Sequence, residues 1–400
     1  MATPSDKRIY SIDVFRGLTI FVMIFVNDLA SVKNLPGWLY HAAADADAMT
    51  FVDVVFPAFL FIVGMAIPFA IQKRESRGDS IGAIWKHALI RTAGLLVLGF
   101  YMVNIGGINA ELTGLTKHWW KLLMFLSAIL VWNHYAKTEL SSKSIWILRG
   151  IGIVGLAVLA IIYRTGEPGL VRWMHPQWWG ILGLIGWAYI ASLLAYFFAK
   201  KRITGIIITF AFFIALFIGE KTGALDFLTP LTNYVKLGSQ VGAHAALTTG
   251  GIILGVILQN NRESSQPYAL LRKMVIYGLL LVLFGYLIRP LYGISKIYAT
   301  PGWVLYSAAI CVGVFMVLYW IIDMKGYVKW AGFLAPAGKN PLLAYILPSI
   351  VSGILGILGI TLLSDHLGSG GLGVIRSIIF SLLMLWITSV LSRWKIQLHL

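Results

Sequence analysis

The sequence predicts an all-α, polytopic membrane bundle of about twelve transmembrane helices, within a range of about ten to twelve. Three observations carry that expectation. Hydrophobic residue types make up 58% of the 400 residues and charged types only 12%. Mean hydropathy is +0.81. Apolar runs of spanning length recur along the whole chain with mostly short connections between them. A soluble domain carries about a quarter of its residues charged, so this chain lacks the charge to cover a water-facing surface. Twelve helices of roughly 20 residues would occupy about 240 residues, close to the hydrophobic content. The composition excludes a soluble enzyme, a disordered chain and a disulfide scaffold. Cys311, the single cysteine, sits inside an apolar run and suits packing.

Taken in order, the expected spans are about 10–32, 50–71, 83–103, 119–136, 145–163, 178–199, 203–219, 241–259, 274–290, 301–322, 340–361 and 374–392. The first apolar stretch follows Lys7, Arg8, Asp13 and Arg16 and contains Asn27 and Asp28. Acids and amides suit a retained helix better than a cleaved signal core. The longest gaps, roughly 33–49 and 220–240, carry Gly, Pro, Asn and Asp and read as loops. With no soluble domain and no internal repeat, residues 1–400 read as a single transmembrane domain. Placing the N-terminus in the cytoplasm puts roughly two-thirds of the 32 Lys and Arg on the cytoplasmic side. An even number of spans then returns the C-terminus to that side. The net charge of +16 therefore reads as anchoring against anionic lipid headgroups. No basic block stands apart for a nucleic-acid partner.

An ionisable side chain inside a bilayer costs a few kcal/mol, so each one needs a reason. Asp13 and Arg16, three apart at the inner end of the first span, share a helix face and read as a structural ion pair. Asn27 and Asp28 lie near the outer end of that span, Asp53 near the outer start of the second, and His41 in the loop between them. One helical hairpin therefore brings an imidazole, two carboxylates and an amide to one side of the membrane. A carboxylate beside an imidazole fixes its tautomer and raises its basicity, as a general base requires. Asn104, His244, Arg289 and Lys296 fall at the same outer level. Their charges could neutralise the acids or hold a phosphate-bearing ligand. At the inner level, Arg91, Lys339 and Asn340 fit cytoplasmic anchoring and helix capping, and Asn340 also joins the candidate substrate-binding set. Trp38, Trp119, Trp120, Trp178, Trp179 and Trp303 fall at span ends and read as an aromatic belt. The eight histidines are scattered, so no metal site is expected.

The run Ser11-Ile12-Asp13-Val14-Phe15-Arg16-Gly17, then Val26-Asn27, His41, Val52-Asp53-Val54-Val55-Phe56-Pro57 and Phe61-Ile62-Val63-Gly64 resembles the heparan-α-glucosaminide N-acetyltransferase family. Later stretches agree more loosely, including Ile294-Ser295-Lys296 before Thr300-Pro301-Gly302-Trp303 and Gly338-Lys339-Asn340-Pro341. Departures are a longer loop after His41 with new acids at Asp45 and Asp47, and spans 4–5 (about 119–163), which look like a hairpin inserted into a ten-helix core.

The resemblance implies acetyl transfer from cytoplasmic acetyl-CoA to a glucosamine-type amino sugar or a glycan across the membrane. It maps the family's active histidine to His41 and a nearby asparagine to Asn27. Asp53 or Asp28 would orient His41, which acts either as acetyl-accepting nucleophile or as general base. His244, Arg289, Lys296, Asn104 and Asn340 are candidate contacts to substrate or acetyl-CoA. A bacterial inner membrane with the histidine on the periplasmic side is the expected location, and a homodimer is admitted by analogy. Two other readings remain open: an O-acyltransferase of cell-envelope glycan, and a transporter of sugars or related solutes.

Overall fold

The computed structural model describes residues 9–167, 169–232, 234–261, 267–360 and 366–399. Lys7, Arg8 and residue 361, which flank expected spans, lie outside these. Among the described residues there is no strand beyond isolated bridges. The long helices are α1 (Tyr10–Leu29), α2 (Val52–Glu75), α3 (Ile81–Asn104), α4 (Lys117–Trp132), α5 (Ser142–Ile162), α6 (Gly180–Phe198) and α7 (Ile203–Lys221). Then come α8, a π-turn over Leu237–Ala243 running into His244–Asn260, and α9 (Pro267–Tyr292). The last are α10 (Pro301–Tyr319), α11 (Pro341–Ile357) and α12 (Gly370–Arg393). Each expected segment coincides with one of these helices.

Nine of them are long and apolar enough to cross a membrane among the described residues, and the bent pair Lys329–Lys339 and Pro341–Ile357, angled at 78°, makes a tenth where it is counted as one broken span. The two long helices left over are α1, which carries Asp13, Arg16 and Asp28, and α4, which has 16 residues. Membrane residence also explains the side chains turned outward. On α9, Ile276, Leu279, Leu280, Leu283, Phe284 and Leu287 are all exposed. Such a patch is untenable in water and ordinary against lipid tails. The protein is an integral membrane helical protein.

Local chemistry sets several helix starts. Thr116 caps α4 by accepting from the Trp119 N–H, and Ser141 caps α5 by accepting from the Ser144 N–H. Pro301 opens α10 at the first turn, where a missing N–H costs nothing.

The chain divides into two compact units, each drawn from three stretches. The first comprises residues 1–19, 36–93 and 184–332. Its backbones meet through α2 and α8. A Cβ added at Gly64 would overlap the Thr248 carbonyl, and one at Gly251 the Phe61 carbonyl. Hydrogen in place of a methyl lets these two helices approach this closely, as small residues do inside membranes. Beside that seam, Ile67, Ile71, Leu193, Tyr196, Ile206 and Ile252 form a buried cluster.

The second unit comprises residues 20–35, 94–183 and 333–400. Trp120, Phe125, Tyr163, Leu343 and Ile346 centre its core. The hairpin α4–α5 belongs to it. Here the aromatic-belt expectation fails for two residues. Trp120 and, in the first unit, Trp303 are fully buried. Each spends its single indole N–H on a buried carbonyl: Trp120 on Leu159 at 3.0 Å, Trp303 on Asp53 at 3.1 Å. A buried indole requires such a partner. Trp38, Trp119 and Trp178 are exposed.

Candidate active site

Asp53 lies in the first turn of α2, where the free N–H groups and the helix dipole favour a carboxylate. Its side chain reaches back to accept from the Thr50 N–H, just ahead of the helix start, at 3.0 Å. It also accepts from the Thr50 hydroxyl at 3.2 Å and the Ala42 N–H at 3.1 Å. With 1% of its side chain exposed, Asp53 needs these donors, because a buried carboxylate left unpaired is strongly unfavourable.

The remaining donor is His41, whose Nδ1 stands 2.7 Å from Asp53 Oδ1. Since Asp53 is surrounded by donors and can only accept, Nδ1 carries the proton. Nε2 is then left with its lone pair on a side chain that is 44% exposed. The result is a dyad: a buried, anchored acid holding an accessible base in one tautomer.

Two further segments fix this loop. Asp47 accepts from the Ile294 N–H at 2.8 Å and from Arg289 Nε at 3.2 Å, while Arg289 also donates to the Asp47 carbonyl. Asp47 has φ 41° and faces Gly293 at φ 63°, so both sides of this junction use left-handed backbone. The clamp ties residues 42–51 to residues 289–300, and with them comes Lys296. Its Nζ is 3.1 Å from both ring nitrogens of His41. An in-plane position equidistant from the two would collide with Cε1, so the ammonium sits over the ring face. Burial pushes the Lys296 pKa down from the usual lysine value, and the Asp53 carboxylate partly opposes that.

Beneath the dyad, Trp303 closes the first turn of α2 through its bond to the Asp53 carbonyl. His244 packs edge-on against Phe56 (5.3 Å between centroids) and Trp303 (6.1 Å). It is buried, with Nδ1 3.2 Å from the Gln240 carbonyl. His244 thus braces the aromatic floor of the site.

The other sequence candidates have different surroundings. Asp28 is in the second unit, where it accepts from Arg376 at 3.0 Å and Ser377 at 2.6 Å. Of the two acids considered for orienting His41, Asp53 is the one in contact with it. Asn27 also lies in the second unit and is exposed. Asn104 is buried there, donating to Phe100 and His175 carbonyls and accepting from the His175 N–H. Asn340 donates to Ser392 and the Ile396 carbonyl and accepts from the Leu398 N–H, which pins the C-terminal segment. Both amides are committed to partners within their own unit. Arg289 is committed to Asp47. Asp13 and Arg16 stand 3.2 Å apart as an ion pair. Residues outside the sequence candidates that complete the site are Thr50 and the Ala42 N–H. Thr50 was legible as a T-x-x-D start signal immediately before an apolar run. Among the described residues no group of His, Cys, Asp and Glu could hold a metal ion.

These features define a class: an integral membrane protein with a His–Asp dyad at the first turn of a membrane helix and a lysine over the imidazole. The chain belongs to the family described as "Domain of unknown function (DUF5009)", whose model matches residues 8–233, more than half of its length. It is also similar to heparan-alpha-glucosaminide N-acetyltransferase of Homo sapiens, 31% identical over 96 residues, and of Mus musculus, 30% identical over 100 residues. Those stretches are 23% and 25% of this chain. They span only 14% of the length of each of these relatives.

Proposed function

We propose that this protein is a transmembrane acetyltransferase that takes acetyl from acetyl-CoA and passes it to the amino group of a glucosamine-type sugar or glycan. The observation that carries the reading is the His41–Asp53 dyad with Lys296 over the ring. Similarity to an N-acetyltransferase is independent support.

In the direct route, His41 Nε2 accepts a proton from the acceptor amine as its nitrogen attacks the thioester carbonyl carbon. The C–S bond breaks, the C–N bond forms, and the proton passes from His41 to the departing CoA sulfur. In the two-step route, Nε2 itself attacks the carbonyl carbon and the C–S bond breaks to release CoA as the thiolate; the amine then displaces acetyl from the imidazole, and the proton it loses balances the thiolate. Asp53 holds the ring in the same tautomer in both routes. The Lys296 ammonium lies where it can stabilise negative charge developing on the carbonyl oxygen.

We infer that all twelve long helices cross the membrane, the even number returning both termini to the cytoplasmic face. His41 then lies on the opposite face, which in a bacterium is the periplasmic side of the inner membrane.

The test is release of CoA thiol and of acetylated sugar by purified protein given labelled acetyl-CoA and glucosamine. His41→Ala should reduce turnover to background while the protein still elutes as a folded species. Near-normal turnover by that variant would remove His41 from the chemistry. Labelled ester in place of labelled amide would redirect the reading to O-acetylation.

A further inference from the structure

A groove of about 670 Å³ runs along the first unit between α7, α8 and α9, lined almost wholly by hydrocarbon side chains. Ile203, Ile257 and Lys273 mark one end; Ile288 and Leu291 mark the other. Lys273 to Leu291 on α9 covers about 27 Å at 1.5 Å per residue, close to the ~30 Å thickness of a bilayer's hydrocarbon core.

The end of the groove at Leu291 lies on the helix that leads into the candidate active site. Arg289, two residues away on the same helix and off the groove face, clamps Asp47 of the His41 loop. The segment that follows Tyr292 carries Lys296 over His41. On the other wall, Phe217 of α7 meets Tyr292 edge-on at 5.9 Å, and Lys221 Nζ lies 5.5 Å from the Tyr298 ring centre. The helices that wall this membrane-long apolar slot therefore lead to a loop edged by two cations, Lys221 and Lys296, with His41 Nε2 beside Lys296.

Resting on the acetyltransferase reading above, we propose that the acceptor is a lipid-linked amino sugar: a long hydrocarbon chain joined through a phosphate to a glucosamine-type headgroup. The chain lies in the α7–α9 groove, the phosphate meets the cations at its end, and the sugar amine is delivered to His41. The charge arrangement selects this occupant over a plain hydrocarbon, because neither Lys221 nor Lys296 has a carboxylate within ion-pair distance among the described residues, and a phosphate would supply the anion. Holding the non-reacting tail lets its binding energy position the amine, so a tail-less acceptor should lose turnover as well as affinity.

The experiment compares two acceptors with acetyl-CoA in lipid nanodiscs: glucosamine 1-phosphate, and the same phosphate esterified to a long prenyl chain. The expected kcat/KM is at least about tenfold higher for the prenyl ester. Ala211→Trp, at an exposed groove position, should erase that advantage and leave turnover of glucosamine 1-phosphate unchanged. Equal kcat/KM for both acceptors in the unaltered protein would overturn the groove assignment and leave the transferase reading intact. So would a prenyl-ester advantage that survives Ala211→Trp. Absence of His41-dependent CoA release with every acceptor would instead remove the underlying reading, and this inference with it.

Discussion

A lysine held over an imidazole face rather than in line with a ring nitrogen leaves the nitrogen lone pair unengaged. Lys296 adds positive charge beside the ring without taking the Nε2 lone pair. The ammonium itself is held below the usual lysine pKa by burial. If its charge supports the reaction, kcat/KM should fall on the alkaline side at a pH below that of an ordinary lysine. Lys296→Arg should move that limb out of range, since a guanidinium stays protonated, and Lys296→Met should abolish the limb while lowering turnover. A pH–rate profile of the three proteins checks this. Asp53→Asn keeps the shape but can present its amide to Nδ1, which inverts the tautomer; turnover should drop by about 10²–10⁴-fold. The acid-plus-imidazole pairing was legible at this scale because charge is so scarce in the chain. Which acid meets His41 was not, since Asp28 and Asp53 are equally close to it in sequence terms. The difference lies in Arg376 and Ser377, about 350 residues from Asp28.

At the scale of helices, periodicity and length were enough to find the elements, because each span must satisfy its own backbone inside lipid. Seams between helices left a fainter trace. At Gly64, Gly251 and Gly255 the structure brings α2 and α8 together backbone to backbone, a contact that a glycine in the sequence does not by itself announce. Gly251→Ala should therefore destabilise by at least the upper end of the usual overpacking range, about 1–3 kcal/mol, because a carbonyl cannot move aside as a side chain can. Gly313→Ala, on α10 with open space around its Cβ position, is the control and should be near neutral. Thermal melting of both variants in detergent separates them. The buried Trp303 was misread for a related reason: a span-end tryptophan looks alike whether it faces lipid headgroups or reaches inward for the carbonyl of Asp53.

For the molecule as a whole, the lone cysteine gives a clean route to topology. Cys311 is buried, so Cys311→Ser provides a background with no reactive thiol. Ala43→Cys, in the exposed loop after His41, should react with a membrane-impermeant maleimide in intact cells. Ser76→Cys, in the exposed turn after α2, should react only after permeabilisation. Labelling of both in intact cells would contradict placement of the two ends of α2 on opposite faces.

The way the two units share the chain also governs when each one can exist. Asp28 waits for Arg376 and Ser377, and Asn34 for Ser369, a partner 335 residues later. At 5–20 residues per second that delay is on the order of half a minute. Throughout it the first helix waits with its acid unsatisfied, and the second unit closes only once its final helix has emerged. Ribosomal pace and the insertion machinery thus become part of the folding problem. A stall late in synthesis would strand a nearly complete chain that still lacks the last partners of its first helix.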